Sequence, residues 1–176
     1  MSAQDPEPGL APGFSIRSAR AVDVPVILRF IRALAEYEKL AHQVSATEKA
    51  LHETLFGGRP AAEVVLAEIY GRPVGFAVYF SNYSTFLARP GIYLEDLFVL
   101  PEFRGRGFGK ALLIHVARVA QERSCGRFDW QVLDWNEPSI LFYKSLGAVP
   151  LDDWTTMRVT GDALDRLARI GLACDF

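Results

Sequence analysis

Tyr93-Leu94-Glu95-Asp96-Leu97-Phe98-Val99-Leu100-Pro101-Glu102-Phe103-Arg104-Gly105-Arg106-Gly107-Phe108-Gly109-Lys110 is the stretch on which the reading of the fold turns. An apolar strand carrying two adjacent carboxylates runs into a proline-marked turn and a loop of arginine and glycine. Apolar periodicity then predicts an amphipathic helix from Phe108 to Glu122. The first N–H groups of a helix have no intrahelical partner, and the dipole adds positive potential there, so the junction suits a phosphate or pyrophosphate. Glycine lets backbone approach such an anion closely, because it has no Cβ and tolerates unusual φ/ψ. Strand, glycine loop and helix together read as an anion cradle.

Spacing narrows the kind of cradle. A Walker A loop needs Gly, four residues, Gly, Lys and then Ser or Thr. Here three residues separate Gly105 from Gly109, and Ala111 follows Lys110. A dinucleotide fingerprint needs Gly-x-Gly-x-x-Gly, whereas Gly105, Gly107 and Gly109 alternate. The pattern that fits is Arg-x-x-Gly-x-Gly, filled by Arg104, Gly107 and Gly109. It resembles the acetyl-CoA pyrophosphate loop of the Gcn5-related N-acetyltransferases.

The chain has 176 residues, half of them hydrophobic and 23% charged, which is the profile of one folded domain with a sizeable core. A net charge of −2 argues against a nucleic-acid partner, which would call for a basic stripe. No apolar run reaches the roughly 18 residues of a membrane span. Met1 to Gly13 is acidic and rich in Pro and Gly, without the basic and apolar regions of a signal peptide, and is expected to be a disordered tail. Residues 14–176 are expected to form the domain. Cys125 and Cys174 show no metal spacing, and His42, His52 and His115 are scattered, so no metal and a cytoplasmic setting are expected.

Phe14 to Ala19 reads as a first strand. Asp23 reads as the N-cap of a helix whose apolar residues recur at Val24, Ile27, Leu28, Ile31, Leu34 and Ala35. Ser45 and Glu48 form a capping-box pattern for a second helix, to Phe56. Glu63 to Tyr70 and Val74 to Ser81 read as strands joined by a Gly71-Arg72-Pro73 turn. Further strands are expected over Ile92 to Leu100, Arg127 to Trp135 and Trp154 to Val159. Pro138 at a first helical position opens a helix closed by Gly147, and a last helix covers Asp162 to Ile170. The order predicts one α/β layer structure. It is also the element order of the Gcn5-related fold, a mostly antiparallel mixed sheet flanked by helices.

Three sets of residues carry the expected chemistry. Glu95 and Asp96 interrupt a strand that is apolar on both sides, so regular alternation sends them to opposite faces and buries both. A buried carboxylate must be paired or protonated, and desolvation lifts its pKa toward the range of a base at neutral pH. A structural pair capping backbone groups, or a dimer contact, is the other reading of both Glu95 and Asp96. Asn136, Ser139 and Tyr143, at i, i+3 and i+7, share one side of a helix; the Tyr143 hydroxyl suits a proton donor, or simply packs at the surface. Glu38 falls on the apolar side of the first helix, where it needs a cation from a substrate or an ordinary helix-end partner.

Tyr93-Leu94-Glu95-Asp96-x-Phe98-Val99, Arg104-Gly105-x-Gly107-x-Gly109, Trp135-Asn136-Glu137-Pro138-Ser139-Ile140-x-Phe142-Tyr143-Lys144 and Ala35-Glu36-Tyr37-Glu38-Lys39-Leu40 all occur together. As a set they resemble the diamine (spermidine/spermine) acetyltransferase family, over about Phe14 to Val159. The resemblance implies acetyl-CoA as cosubstrate and direct transfer of the acetyl group to a small primary amine, with Glu95 as base and Tyr143 as acid. It implies acetyl-CoA contacts at Leu97, Phe98 and Val99, at Arg104, Gly105, Arg106, Gly107, Phe108, Gly109 and Lys110, and at Asn136, Glu137, Pro138, Ser139 and Tyr143. The amine pocket maps to Tyr37, Glu38 and Glu95. Asn82-Tyr83-Ser84-Thr85-Phe86 looks like the thialysine branch, in which Ser84 and Thr85 suit an amino-acid head group; the polyamine branch has an acidic residue and Pro there. Phe86 stands where the family usually has Trp. A homodimer is implied by the resemblance alone. A peptide or protein N-acetyltransferase and a non-catalytic CoA sensor are the alternative readings.

Overall fold

Runs of β-branched and aromatic residues build five strands, and the structure, a computed structural model, describes residues 11–170. The described residues fall into two compact units, 11–133 and 134–170. In the first, β1 (Phe14–Ser18), β2 (Glu63–Ile69), β3 (Arg72–Ser84), β4 (Arg89–Val99) and β5 (Phe128–Trp130) form one sheet in that spatial order. Neighbours are antiparallel from β1 to β4, and β4 pairs with β5 in parallel. This is the expected mixed, mostly antiparallel sheet.

β2 is buried on both faces, so both need a helical cover. One face carries α1 (Val24–Tyr37) and α2 (Glu48–Phe56), whose Ile27 and Phe30 pack with Val64, Leu66, Phe76, Val78 and Phe98. Phe30 lies 5.5 Å from the Phe76 ring and 6.2 Å from Phe98. α3 (Phe108–Glu122) contributes buried Phe108, Leu112 and Val116, matches the predicted bounds and packs on β2, β3 and β4. Phe14 stacks on Phe108 at 4.7 Å, tying the start of β1 to the start of α3.

Several local expectations are corrected. Asp23 precedes α1 but does not cap it with its side chain; the carboxylate accepts from the Arg17 guanidinium at 2.7 Å and from the Arg20 N–H. Thr47, not Ser45, caps α2, accepting from the Ala50 N–H at 3.2 Å. The β2–β3 turn is Tyr70-Gly71, both at positive φ, the two-residue form that matches strand twist. Arg72 and Pro73 therefore belong to β3, which runs on to Ser84. β5 covers only three residues of the predicted strand Arg127 to Trp135, because its pairing with β4 ends at the Leu94–Trp130 pair, where the regular register of β4 is interrupted.

The second unit contains α4 (Glu137–Ser145) and α5 (Gly161–Ala168). Pro138 is the second residue of α4, and Asn136 is its N-cap, with the side-chain oxygen accepting from the Ser139 N–H. Gly147, at φ 92°, follows its end as predicted. The strand expected over Trp154 to Val159 does not form, and Trp154, Met157 and Val159 are exposed. Most of the expected N-terminal tail, residues 1–10, lies outside the described residues. Gly13 at its end accepts a hydrogen bond from the Tyr70 N–H.

Candidate active site

The site grows from an irregularity in β4. Val78 on β3 faces Asp96 and Tyr79 faces Leu94, so Glu95 is an extra residue, a β-bulge. The bulge breaks the alternation on which burial of both carboxylates was predicted. Glu95 is exposed and Asp96 is the half-buried one, which corrects the expectation for Glu95. Asp96 lies two residues from Phe98, which packs in the α1-side core. Desolvation, reinforced by the charges of Glu95 and then Glu38, pushes the Asp96 carboxyl up to about 6. Glu38, at the C-terminal cap of α1, is itself raised by burial. No ion-pair partner faces Glu38 among the described residues, so the helix-end salt bridge does not form. None of these three carboxylates is ion-paired among the described residues, an arrangement that favours a cation arriving from solution.

Beyond the bulge, β4 runs on without β5, whose pairing stops at Leu94. The Leu100 N–H donates to the Val74 carbonyl at 2.9 Å, so Leu100, and by alternation Phe98, aim their N–H groups at β3. Leu97 and Val99 aim theirs to the other side. The Val99 carbonyl accepts from Arg104 Nε there, at 3.0 Å. Of the three residues the resemblance assigns to acetyl-CoA on this strand, Leu97 and Val99 therefore turn their N–H groups away from β3, and Phe98 turns its own toward it.

Val99 leads through a 3-10 turn, Pro101–Phe103, to the glycine loop. Gly105 and Gly107 have φ of 72° and 83°, a region L-residues enter at a cost. Gly107 is the N-cap of α3 and has no side chain with which to satisfy the first turn, so the Phe108, Gly109 and Lys110 N–H groups point out unpaired by the helix. A Cβ at Gly109 would have only Val99 Cγ2 nearby, at 3.9 Å. The backbone there is open to a ligand.

Arg104 has a role that spacing alone did not reveal. Its guanidinium lies 4.5 Å from the Tyr37 ring centre and 5.5 Å from that of Phe98. With its bond to Val99, it ties the loop to β4 and to the end of α1, where a cation suits the helix dipole. Tyr37, Glu38, Asp96, Leu97, Val99 and the loop are in this way brought into one region of the first unit. Ser84 and Thr85 are not. Ser84 ends β3, is buried, and its hydroxyl accepts from the Leu87 N–H at 3.2 Å, holding the hairpin turn. The register leaves five to six residues between Ser84 and the bulge, about 18 Å along the strand. Phe86 at the hairpin tip is 93% exposed. Asn136, Glu137, Pro138, Ser139 and Tyr143 belong to the second unit, where Asn136 is buried and the Tyr143 ring lies 5.2 Å from Phe142.

Among the described residues no group of three or more His, Cys, Asp or Glu could hold a metal ion, and no helix is long and apolar enough to cross a membrane.

The chain is 42% identical over 164 residues to the mouse thialysine N-epsilon-acetyltransferase, covering 87% of this chain and 96% of that protein. It is 34% identical to the Arabidopsis thaliana L-ornithine N5-acetyltransferase NATA1, covering 95% and 97%. Among solved structures, the Vibrio cholerae integron cassette protein VCH_CASS6 superposes with a TM-score of 0.76 at 26% identity, over 90% of this chain and 99% of that one. These likenesses bear out the resemblance to the diamine acetyltransferases and their thialysine branch. Residues 30–148 match the acetyltransferase (GNAT) family. With the bulged β4, the open strand edge and the glycine-capped α3 in place, the chain belongs to the acetyltransferase (GNAT) family and is an N-acetyltransferase.

Proposed function

We propose that the chain transfers the acetyl group of acetyl-CoA to the terminal amine of a small lysine-like amino acid or a diamine, directly within a ternary complex. The observation that carries the reading is the adjacency, along β4, of an uncompensated carboxylate group and a phosphate cradle. The unpaired N–H groups at the start of α3 suit the pyrophosphate. The Leu97 and Val99 N–H groups, on the edge beyond β5, suit the acyl-pantetheine arm and the thioester carbonyl. Relatives named for thialysine and for L-ornithine acetylation support a small aminated amino acid as acceptor.

An ammonium has no free pair for attack, so the amine must first lose a proton. Glu95, accessible at the bulge, takes it directly or through water, while Glu38 and Asp96 hold the cation that precedes this step. The amine nitrogen then bonds to the thioester carbon as the C–S bond breaks. The thiolate takes a proton from Tyr143, a role assigned from the sequence resemblance. Cys125 has no part as an acyl carrier. Ser84 and Thr85 lie further from Glu95 in one chain than the length of a lysine side chain. They would reach the amino-acid head group from a partner copy, in keeping with the homodimer implied by resemblance.

A panel assay with acetyl-CoA and thialysine, ornithine, spermidine, aminoglycosides and basic peptides tests this function. Turnover of small amines ahead of peptides is the expected result. Preference for peptides, or CoA binding without transfer to any amine, refutes it.

A further inference from the structure

The glycine loop is flanked by more positive charge than its motif supplies. Arg104, although exposed, is engaged with the Val99 carbonyl and with the Tyr37 and Phe98 rings. Beside it and Lys110 stand two further exposed cations, Arg106 and, from elsewhere in the chain, Arg72, the first residue of β3. Both guanidinium groups lie against the ring of Phe103, Arg72 at 5.6 Å and Arg106 at 5.4 Å from its centre. Arg106 is further held by a 3.3 Å bond from Nη2 to the Glu102 carbonyl, which uses one of its five donors. Arg72 reaches this place because the turn at Tyr70-Gly71 delivers the start of β3 beside the end of β4, where Val74 pairs with Leu100. Neither arginine is joined to a carboxylate in an ion pair among the described residues. Two like charges gathered on one ring repel each other, and a dianion between them would remove that repulsion.

Coenzyme A carries, besides its pyrophosphate, a phosphate monoester on the 3′ position of the ribose, a few bonds beyond. The pyrophosphate has the N–H groups of α3, whereas a monoester needs side-chain donors, and guanidinium is the group best shaped to meet it. We propose that Arg72 and Arg106, collected on Phe103, form the site for the 3′-phosphate of coenzyme A. Arg72 is then a specificity-determining residue, contributed by β3 from outside the glycine motif. The proposal rests on the reading of the α3 start as a coenzyme A cradle.

The test compares acetyl-CoA with acetyl-3′-dephospho-CoA by calorimetry and by KM, in the parent protein, Arg72→Gln, Arg106→Gln and the double variant, with thermal melting to establish folding. The parent should bind the phosphorylated form at least about tenfold more tightly, about 1.4 kcal/mol. Arg72→Gln should lose most of that preference, with the loss falling on acetyl-CoA and not on the dephospho form. Arg72→Lys should recover part of it, since the charge stays but the fork is lost. The preference should also weaken as salt rises. A parent that does not distinguish the two coenzymes overturns the proposal, as does an Arg72→Gln variant that weakens both alike or neither. Failure of the underlying reading looks different: neither coenzyme binds the parent.

Discussion

Gly109→Ala separates the needs of the ligand from the needs of the fold. At Gly107 the two are mixed, since φ is 83° and any L-residue there carries about 1–2 kcal/mol of backbone strain. Gly109 has no such constraint. It is the second residue of α3, and the nearest atom to an added Cβ is Val99 Cγ2 at an ordinary 3.9 Å. By helix propensity alone the substitution should leave stability unchanged or raise it by up to about 1 kcal/mol. A helical Cα–Cβ bond tilts toward the N-terminus, so the new methyl points toward the position of a pyrophosphate on the first N–H groups. Displacing the anion from one or two charge-assisted bonds should weaken binding by about 1.5–3 kcal/mol, roughly 10- to 100-fold in Kd. Calorimetric titration with CoA, alongside thermal denaturation, measures both sides. A variant that folds at least as well as the parent and binds CoA within threefold of it would refute close backbone approach at this position.

The remaining expectations concern proton handling and substrate choice. The Asp96 carboxyl moves from 3.8 to about 6 on folding, so the native state holds its proton more tightly and stability falls as pH rises between those values. The ionised group then costs up to about 3 kcal/mol at neutral pH. Asp96→Asn should accordingly stabilise the protein at pH 7.5, less so at pH 5, while weakening amine binding; equal effects at both pH values in urea titrations would contradict burial as the cause. Tyr143→Phe should lower kcat by about 10² with little change in acetyl-CoA affinity, read by steady-state kinetics, if the hydroxyl protonates the leaving thiolate. Thialysine should show a higher kcat/KM than spermidine, and replacing Ser84-Thr85 by Asp-Pro should reverse that order. The inserted carboxylate can keep the turn bond to the Leu87 N–H, so a reversal would report on substrate and not on a lost hairpin.

The parts of this molecule legible in the sequence are those set by local chemistry. α3 was readable to the residue because a glycine at its cap and an apolar stripe from Phe108 to Ala120 both act within a few turns. The two-residue turn announced itself through Gly71, although Tyr70 at φ 48° is an unusual partner for it, and so the break was expected one residue late. Ser45 and Thr47 carry equivalent hydroxyls, and only the backbone of the first turn distinguishes which one caps. Strand lengths were less legible, because a strand ends where its neighbour does. Phe128 to Trp130 and Trp154 to Val159 have similar β character, yet only the first forms a strand. The site followed the same rule. The glycine loop and the carboxylates were visible as residues, but the exposure of Glu95 and the stacking of Arg104 on Tyr37 depend on contacts from β3 and α1 that no spacing encodes.

The bulge at Glu95 shows why one inserted residue can organise so much. Without it, Tyr79 would face Glu95, and every residue on one side of the insertion would turn to the opposite face of the sheet. Leu94 or Phe98 would lose its place in the core, and Asp96 would leave the side on which Glu38 closes α1. With it, Leu94 and Phe98 are both buried, Glu95 projects into solvent, and Asp96 remains beneath two other carboxylates. The same point is where β5 stops following β4. The Leu97 and Val99 N–H groups beyond it are therefore released from the sheet, and the Val99 carbonyl becomes the anchor for Arg104 and hence for the glycine loop. The acidic and anion-binding features are thus set by one local departure from strand geometry, which fixes their spacing along β4 at a few residues. Rigid placement of this kind limits reorganisation when charge develops, which is the condition under which fixed donors and carboxylates are most effective.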